Sequence, residues 1–449
     1  MVASRWLDRR RHAFSAAGVW LLLTLALGAA PTRAQLQSHD PADLHEEAER
    51  SAPRVSVVTI GVGDAVHQYF GHNALVVEGA TLPKPTVFNY GMFAFGPDML
   101  AQFLKGRLTF WLGLTDLQRT VAQYAAANRD VRLQELNLTP AQRQAVFGRL
   151  QRDARPEHRS YLYDHYFDNC STRVRDVLDG ALHGQLRQAW SGPARFTLRQ
   201  DTMRHTQHDL LTEWGMMFAL SASVDRPQSS WNQAFLPLEL ARLLDYTTFT
   251  DAHATRVPLV SGVKVLFRAE REPVATHVDE RWQSLLGCGA LAALLLVLLG
   301  ERARRTPRPW RALLLALVSL YGLLGGLLGS WLLYVSIWSD HAVTHGNVNV
   351  LLLNPLTLFA GLLTAAELAS GVGTTLGHFF QRAADALWFV TCASSVTLLA
   401  LKLPPVSSEQ DISLSASLLI PISLGIALAR SRSPDHQHAT GAAWATQRS

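Results

Sequence analysis

Apolar residues are spread unevenly along this chain, and the unevenness divides it in two. Beyond residue 281 they gather into five long runs, at 285–300, 312–337, 350–368, 386–401 and 412–429. A helix crossing ~30 Å of hydrocarbon needs runs of about this length, and the short first one is extended by Trp282 and Gln283. Residues 35–280 hold no run of ~18 apolar residues and mix charges throughout, as a water-exposed domain does. Within that stretch, residues 55–60 (VSVVTI), 74–77 and 86–90 read as three short strands of a small antiparallel sheet. Gly79 and Pro83-Lys84-Pro85 form the turn between the last two. Val174, Val177, Leu178, Ala181 and Leu182 recur at helical spacing and predict an amphipathic helix that stops near Gly184. The chain opens with Arg5 and Arg9 to Arg11, an apolar run at 16–30, and small residues ending at Thr32-Arg33-Ala34. This is the pattern of a secretory signal or a retained N-terminal anchor, and either one puts the next domain outside the cytoplasm. The expected organisation is a leader (1–34), an extracytoplasmic domain (35–280), a membrane bundle (281–430) and a cytoplasmic tail (431–449).

Composition fits a chain that is half membrane: 449 residues, 48% hydrophobic and only 17% charged. The net charge of +5 changes little, because much of the excess arginine lies at 9–11, 302–311, 430 and 432, beside apolar runs. Such clusters read as orientation signals rather than as a nucleic-acid face. They place 301–311, Gln381-Arg382 and the tail in the cytoplasm, and the first domain outside with loops 339–349 and 402–411.

The chemistry narrows to one thiol. Of three cysteines, Cys288 and Cys392 lie inside apolar runs, which leaves Cys170 alone in the polar half and excludes a disulfide framework there. Cys170 stands at the start of the amphipathic helix, where free backbone N–H groups and the positive end of the helix dipole favour a thiolate. A buried, inert cysteine is the alternative. A nucleophilic thiol needs a base, and His72, after Gly71 at the start of a strand, is placed to serve, with His67 and His165 as competitors. Asn89 or Tyr90 on the neighbouring strand is the candidate to orient the imidazole. Alternate residues of a strand point to opposite faces, so only one of the two can do it.

Four separated segments, FGHNALVV, FNYGMFAF, YFDNCSTRVRD and SDHAVTHGNVNVLLLNPL, together resemble the Lnb-type family over about residues 55–356. The order of a strand histidine, a polar residue on the next strand and Asn-Cys opening a helix also resembles the circularly permuted papain-like fold. The resemblance implies an α+β thiol domain, periplasmic and fused to a bundle of about five transmembrane helices in the bacterial inner membrane. It implies Cys170 as nucleophile, His72 as base, and N-acylation of a lipoprotein as the activity. A membrane phospholipid would then donate the acyl chain, and the N-terminal amine of a diacylated lipoprotein would accept it. Two other classes remain open, a thiol peptidase or amidase acting on cell-wall peptide and a non-catalytic membrane interaction protein.

Polar residues of the loop 339–349 lie between two apolar runs, a placement that suggests a site. Asp340, His341, His345, Asn347 and Asn349 are candidates for substrate headgroup contact or for docking to the thiol domain, and Asn169 for substrate contact beside the thiol. His341 and His345, four apart, with Asp340 allow a metal reading that the nearby Gly346 weakens. No HExxH element or Gly-rich phosphate loop occurs, so neither a resident metal nor a cofactor is expected. Gly322, Gly325, Gly326 and Gly329 read as a helix-packing stripe.

Overall fold

The computed structural model describes residue 49 and residues 51–431, apart from 80, 95, 251–254 and 372–373. The expected leader and the tail beyond residue 431 lie outside the described residues.

The chain runs through β1 (Arg54–Ile60), β2 (His72–Glu78), β3 (Thr86–Met92), α1 (Met99–Lys105), β4 (Thr109–Asp116), α2 (Leu117–Ala126), β5 (Val131–Leu136), α3 (Pro140–Asp153) and β6 (Ser160–Leu162). A helical stretch follows: α4 (Cys170–Ala181), α5 (Gln185–Ala189), α6 (Leu198–Thr206), α7 (Leu210–Ala219), α8 (Ser230–Gln233) and α9 (Pro237–Tyr246). The short strands β7 (Thr248–Thr250) and β8 (Arg256–Pro258) pair with each other, and β9 (Val260–Phe267) ends the domain. The three strands expected from sequence are the centre of a seven-stranded antiparallel sheet, in the order β6-β4-β3-β2-β1-β5-β9.

Alternation along the strands buries both faces of this sheet. Val55, Val57, Leu75, Val77, Phe88 and Tyr90 face α3 and α4 in the main core, and Val58, Ile60, Ala74, Val76 and Val87 face α2. The sheet is therefore the middle layer of a sandwich, and α4 presents Val174, Val177, Leu178, Ala181 and Leu182 to it.

Five helices long and apolar enough to cross a membrane complete the α+β chain: α10 (Trp282–Arg305), α11 (Pro307–Trp338), α12 (Pro355–Ser370), α13 (Thr375–Ala400) and α14 (Ser413–Ser431). The glycine stripe of α11 is a true contact line. A Cβ on Gly322 would come within 2.5 Å of Gly361 on α12, and one on Gly326 within 2.2 Å of Leu358. Helix α13 starts eleven residues before the apolar run that announced it. Gln381, expected in a cytoplasmic loop, is inside it, buried and hydrogen-bonded to Arg311 at 2.7 Å. Polar groups near that end face a network in which Glu367 joins Arg311 (3.0 Å) and Arg430 (2.8 Å), so they interrupt the apolar pattern without interrupting the helix.

The two halves share apolar cores. Met217 of α7 packs in a cluster with Leu285 of α10 and Leu414 of α14, and Phe218 packs with Leu332, Val335 and Ile412. Helix α7 is thus the joint between the sheet domain and the outer end of the bundle.

Candidate active site

Helix α4 begins at Cys170 because Asn169 caps it. The Asn169 side chain accepts a hydrogen bond from Thr172 N–H (2.9 Å), and Thr172 Oγ1 accepts one in return from Asn169 N–H (2.7 Å), a reciprocal cap. Asn169 Nδ2 donates to the carbonyls of His165 (2.7 Å) and Phe235 (3.0 Å). This buried side chain thereby fixes the helix start. One residue on, Ser171 Oγ donates to Asn73 Oδ1 (2.6 Å), and Asn73 Nδ2 donates to Thr59 Oγ1 (2.8 Å), which ties the helix start across β2 to β1.

His72 opens β2 and lies on the sheet face that carries Val87, Asn89 and Gly91 of β3. Its Nε2 is 2.8 Å from Asn89 Oδ1, which also accepts the Gly91 N–H at 2.8 Å. An oxygen in that place makes Nε2 the protonated nitrogen and leaves Nδ1 for the Cys170 thiol, with which His72 also hydrogen-bonds. Gly91 leaves room for the ring, since a Cβ there would come within 2.4 Å of His72 Cε1.

Cys170 is partly accessible. Burial pushes its thiol up, but the His72 imidazole, through its charge and its hydrogen bond, and the backbone N–H groups of Asn73 and Ser171 outweigh that effect. The balance holds the thiol below its ordinary value. Thiol, imidazole and side-chain amide thus form a chain of contacts at a helix N-terminus.

The structure does not bring the other candidates to the thiol. Tyr90 projects into the opposite core, where its hydroxyl donates to Asp153 (2.8 Å), as period-2 alternation from Asn89 requires. His165 is wedged among Phe70, Tyr166 and Phe235, and burial pushes its imidazole down to about 4.

The outer loop makes docking contacts with the first domain. Asp340 accepts from Arg107 Nε (2.6 Å), and its N–H donates to the Lys105 carbonyl (2.8 Å) at the end of α1. His341 Nε2 donates to the Phe103 carbonyl (2.6 Å), and His345 Nε2 to Ser339 O within the loop (2.7 Å). Asn347 Nδ2 donates to the carbonyls of Phe218 (3.0 Å) and Ala219 (2.9 Å), and Asn349 Nδ2 to Phe218 (3.0 Å), which satisfies the C-terminal end of α7. Asp340, His341, Asn347 and Asn349 thus dock the loop onto the first domain, and His345 braces the loop itself. Asp340, His341 and His345 each serve a different partner, and no metal-binding group of three or more such side chains occurs among the described residues.

Residues 43–207 match the model of the Lnb N-terminal periplasmic domain, and residues 288–400 match that of the Lnb transmembrane domain. The chain belongs to the Lnb family. No curated protein and no solved structure matches it. As an Lnb protein it is a membrane protein with a periplasmic domain, and both halves of the structure take their place accordingly: the sheet domain lies outside, and α10 to α14 cross the membrane.

Sequence reasoning did not find Asn73, Gly91 or Ser171. The signal for Gly91 was present, because period 2 puts it on the His72 face two residues after Asn89. Those for Asn73 and Ser171 were not, since their bond joins segments 98 residues apart.

Proposed function

We propose that this protein is a thiol acyltransferase of the bacterial inner membrane, moving a fatty acyl chain from a membrane phospholipid to the N-terminal amine of a diacylated lipoprotein. The observation that carries the reading is a thiol held below its ordinary value by an imidazole, in a domain locked to the outer end of a membrane bundle. Cys170, as thiolate after His72 Nδ1 takes its proton, attacks the ester carbonyl of the lipid. The C–O bond breaks, His72 returns the proton to the departing lysolipid oxygen, and the acyl group stays on sulfur as a thioester. The acceptor amine then attacks the thioester, His72 takes the amine proton, and the amide forms as the thiolate leaves. Asn89 keeps the imidazole in the tautomer both steps need. The backbone N–H groups of Asn73 and Ser171, which already face the sulfur, are the nearest donors to the oxyanion of each tetrahedral intermediate.

The test is intact-mass analysis of the full-length protein in phospholipid micelles, wild type beside Cys170→Ala and His72→Ala, with a diacylated lipopeptide added later. A fatty-acyl adduct on Cys170 that forms from lipid and is discharged to N-acylated lipopeptide is the expected result. Cys170-dependent cleavage of a cell-wall peptide with no adduct would establish a peptidase or amidase instead. Function retained without the thiol would make the protein a non-catalytic interaction partner.

A further inference from the structure

Arg129, in the turn between α2 and β5, is a buried cation without an anion. It is 4% exposed, its Nε donates to the Gly61 carbonyl (2.9 Å), and its Nη2 is enclosed with no hydrogen-bond partner. No carboxylate pairs with it among the described residues. The charge nearest in kind, Arg271, is another cation and is itself bound to Asp64 (2.6 and 2.9 Å). A guanidinium in this setting is costly to bury unless something compensates it. What lies next to it is the site. Its Cζ is 5.0 Å from the centre of the Tyr124 ring, and that ring is 6.5 Å from the His72 imidazole. Arg129 and Tyr124 are both close enough to Cys170 for its charge to act on them.

We propose that Arg129 is a positioning residue whose missing counter-ion is the Cys170 thiolate, so that its fixed charge, acting past Tyr124, stabilises the ionised sulfur. The proposal rests on Cys170 being the nucleophile. The titratable and charged groups within electrostatic reach of the sulfur include His72 on β2, Tyr124 on α2, Arg129, Tyr161 on β6, and Tyr163 just after it, while Arg173, one turn along α4 and stacked on Tyr161, is already paired with Asp168 (2.7 Å). Of these, the tyrosines are neutral phenols that burial pushes up, so Arg129 is the permanent cation left without a carboxylate. A buried fixed charge shifts the equilibrium between thiol and thiolate without touching substrate. Gln68 offers a way to cancel it in place. Its Oε1 and Arg129 Cδ both lie within 3.0 Å of one point, the position of a Cβ on Gly63, so Gln68→Glu would supply the absent carboxylate with no change in shape.

The experiment follows alkylation of Cys170 by iodoacetamide against pH, read at that residue by peptide mass spectrometry, in the full-length protein in detergent. The midpoint of the rate profile is expected to rise by about one pH unit or more in Arg129→Met, to return close to wild type in Arg129→Lys, and to rise in Gln68→Glu. A folded Arg129→Met with the wild-type midpoint would overturn the proposal. If Arg129→Met does not fold, an unmoved midpoint in Gln68→Glu overturns it equally. Alkylation needs no lipid and no lipopeptide, so a shifted midpoint stands even where acyl transfer fails, and acyl transfer stands where the midpoint does not move.

Discussion

A methyl group at Gly91 would lie 2.4 Å from His72 Cε1 and 3.1 Å from Nδ1, the nitrogen left for the thiol. The Gly91→Ala variant is therefore expected to fold but to push the imidazole away, slowing alkylation of Cys170 at pH 7 by roughly tenfold or more, since geometry errors of about 1 Å carry costs of that order and above. Circular dichroism and the rate together check it, and a folded alanine variant reacting at the wild-type rate would show that this gap does not seat the ring. Tyr90→Phe should behave in the opposite way. It loses the bond to Asp153 and about 1 kcal/mol of stability while leaving the thiol rate alone. The choice between Asn89 and Tyr90 was left open by the sequence because either face of β3 is buried, and an apolar-in, polar-out rule does not apply to a strand in the middle of a sandwich.

At the scale of elements, the start of α4 depends on one side chain. Replacing Asn169 by Ala removes the cap, worth about 1–2 kcal/mol, together with two donors to buried carbonyls. The expected result is a lower melting temperature and a thiol midpoint moved upward as the first turn loosens. Asn169→Asp keeps the cap oxygen but loses both donors, so it should recover part of the first effect. Equal stability of Ala and wild type would mean the helix start is set elsewhere. Helix α4 was legible because its apolar stripe and preceding Asn-Cys both survive in a short window of sequence. The start of α13 was not, because Gln381 and Asp385 satisfy partners on α11 and α14 that only the folded bundle supplies. Helix α7 was equally opaque. Ten residues, LLTEWGMMFA, reveal neither that Met217 and Phe218 enter the bundle cores nor that two asparagines 128 or more residues away finish the helix.

The whole molecule has an acid limit written into it. His165 and His205 are both pushed down to about 4, by burial first in each case, whereas an unfolded histidine titrates near 6.5. The unfolded chain therefore takes up protons first as pH falls. The stability these imidazoles carry is complete above about pH 6.5 and is lost progressively toward pH 4, up to about 3 kcal/mol apiece. Buried Asp201 and Glu213, whose carboxyls burial pushes up, act in the opposite sense, so a variant isolates the effect better than the raw slope. Melting temperature against pH should fall less steeply below 6.5 in His165→Phe than in wild type, and parallel curves would remove His165 from the account.

The outer loop secures the periplasmic domain at two separate points, the end of α1 through Asp340 and His341 and the end of α7 through Asn347 and Asn349. A body pinned twice cannot swing on either pin. On the proposed acyl transfer, the domain would then work as a gauge: with the sulfur held at one height, membrane-anchored substrates would be sorted by how far along the membrane normal they carry their reactive bond, before any pocket has judged their shape.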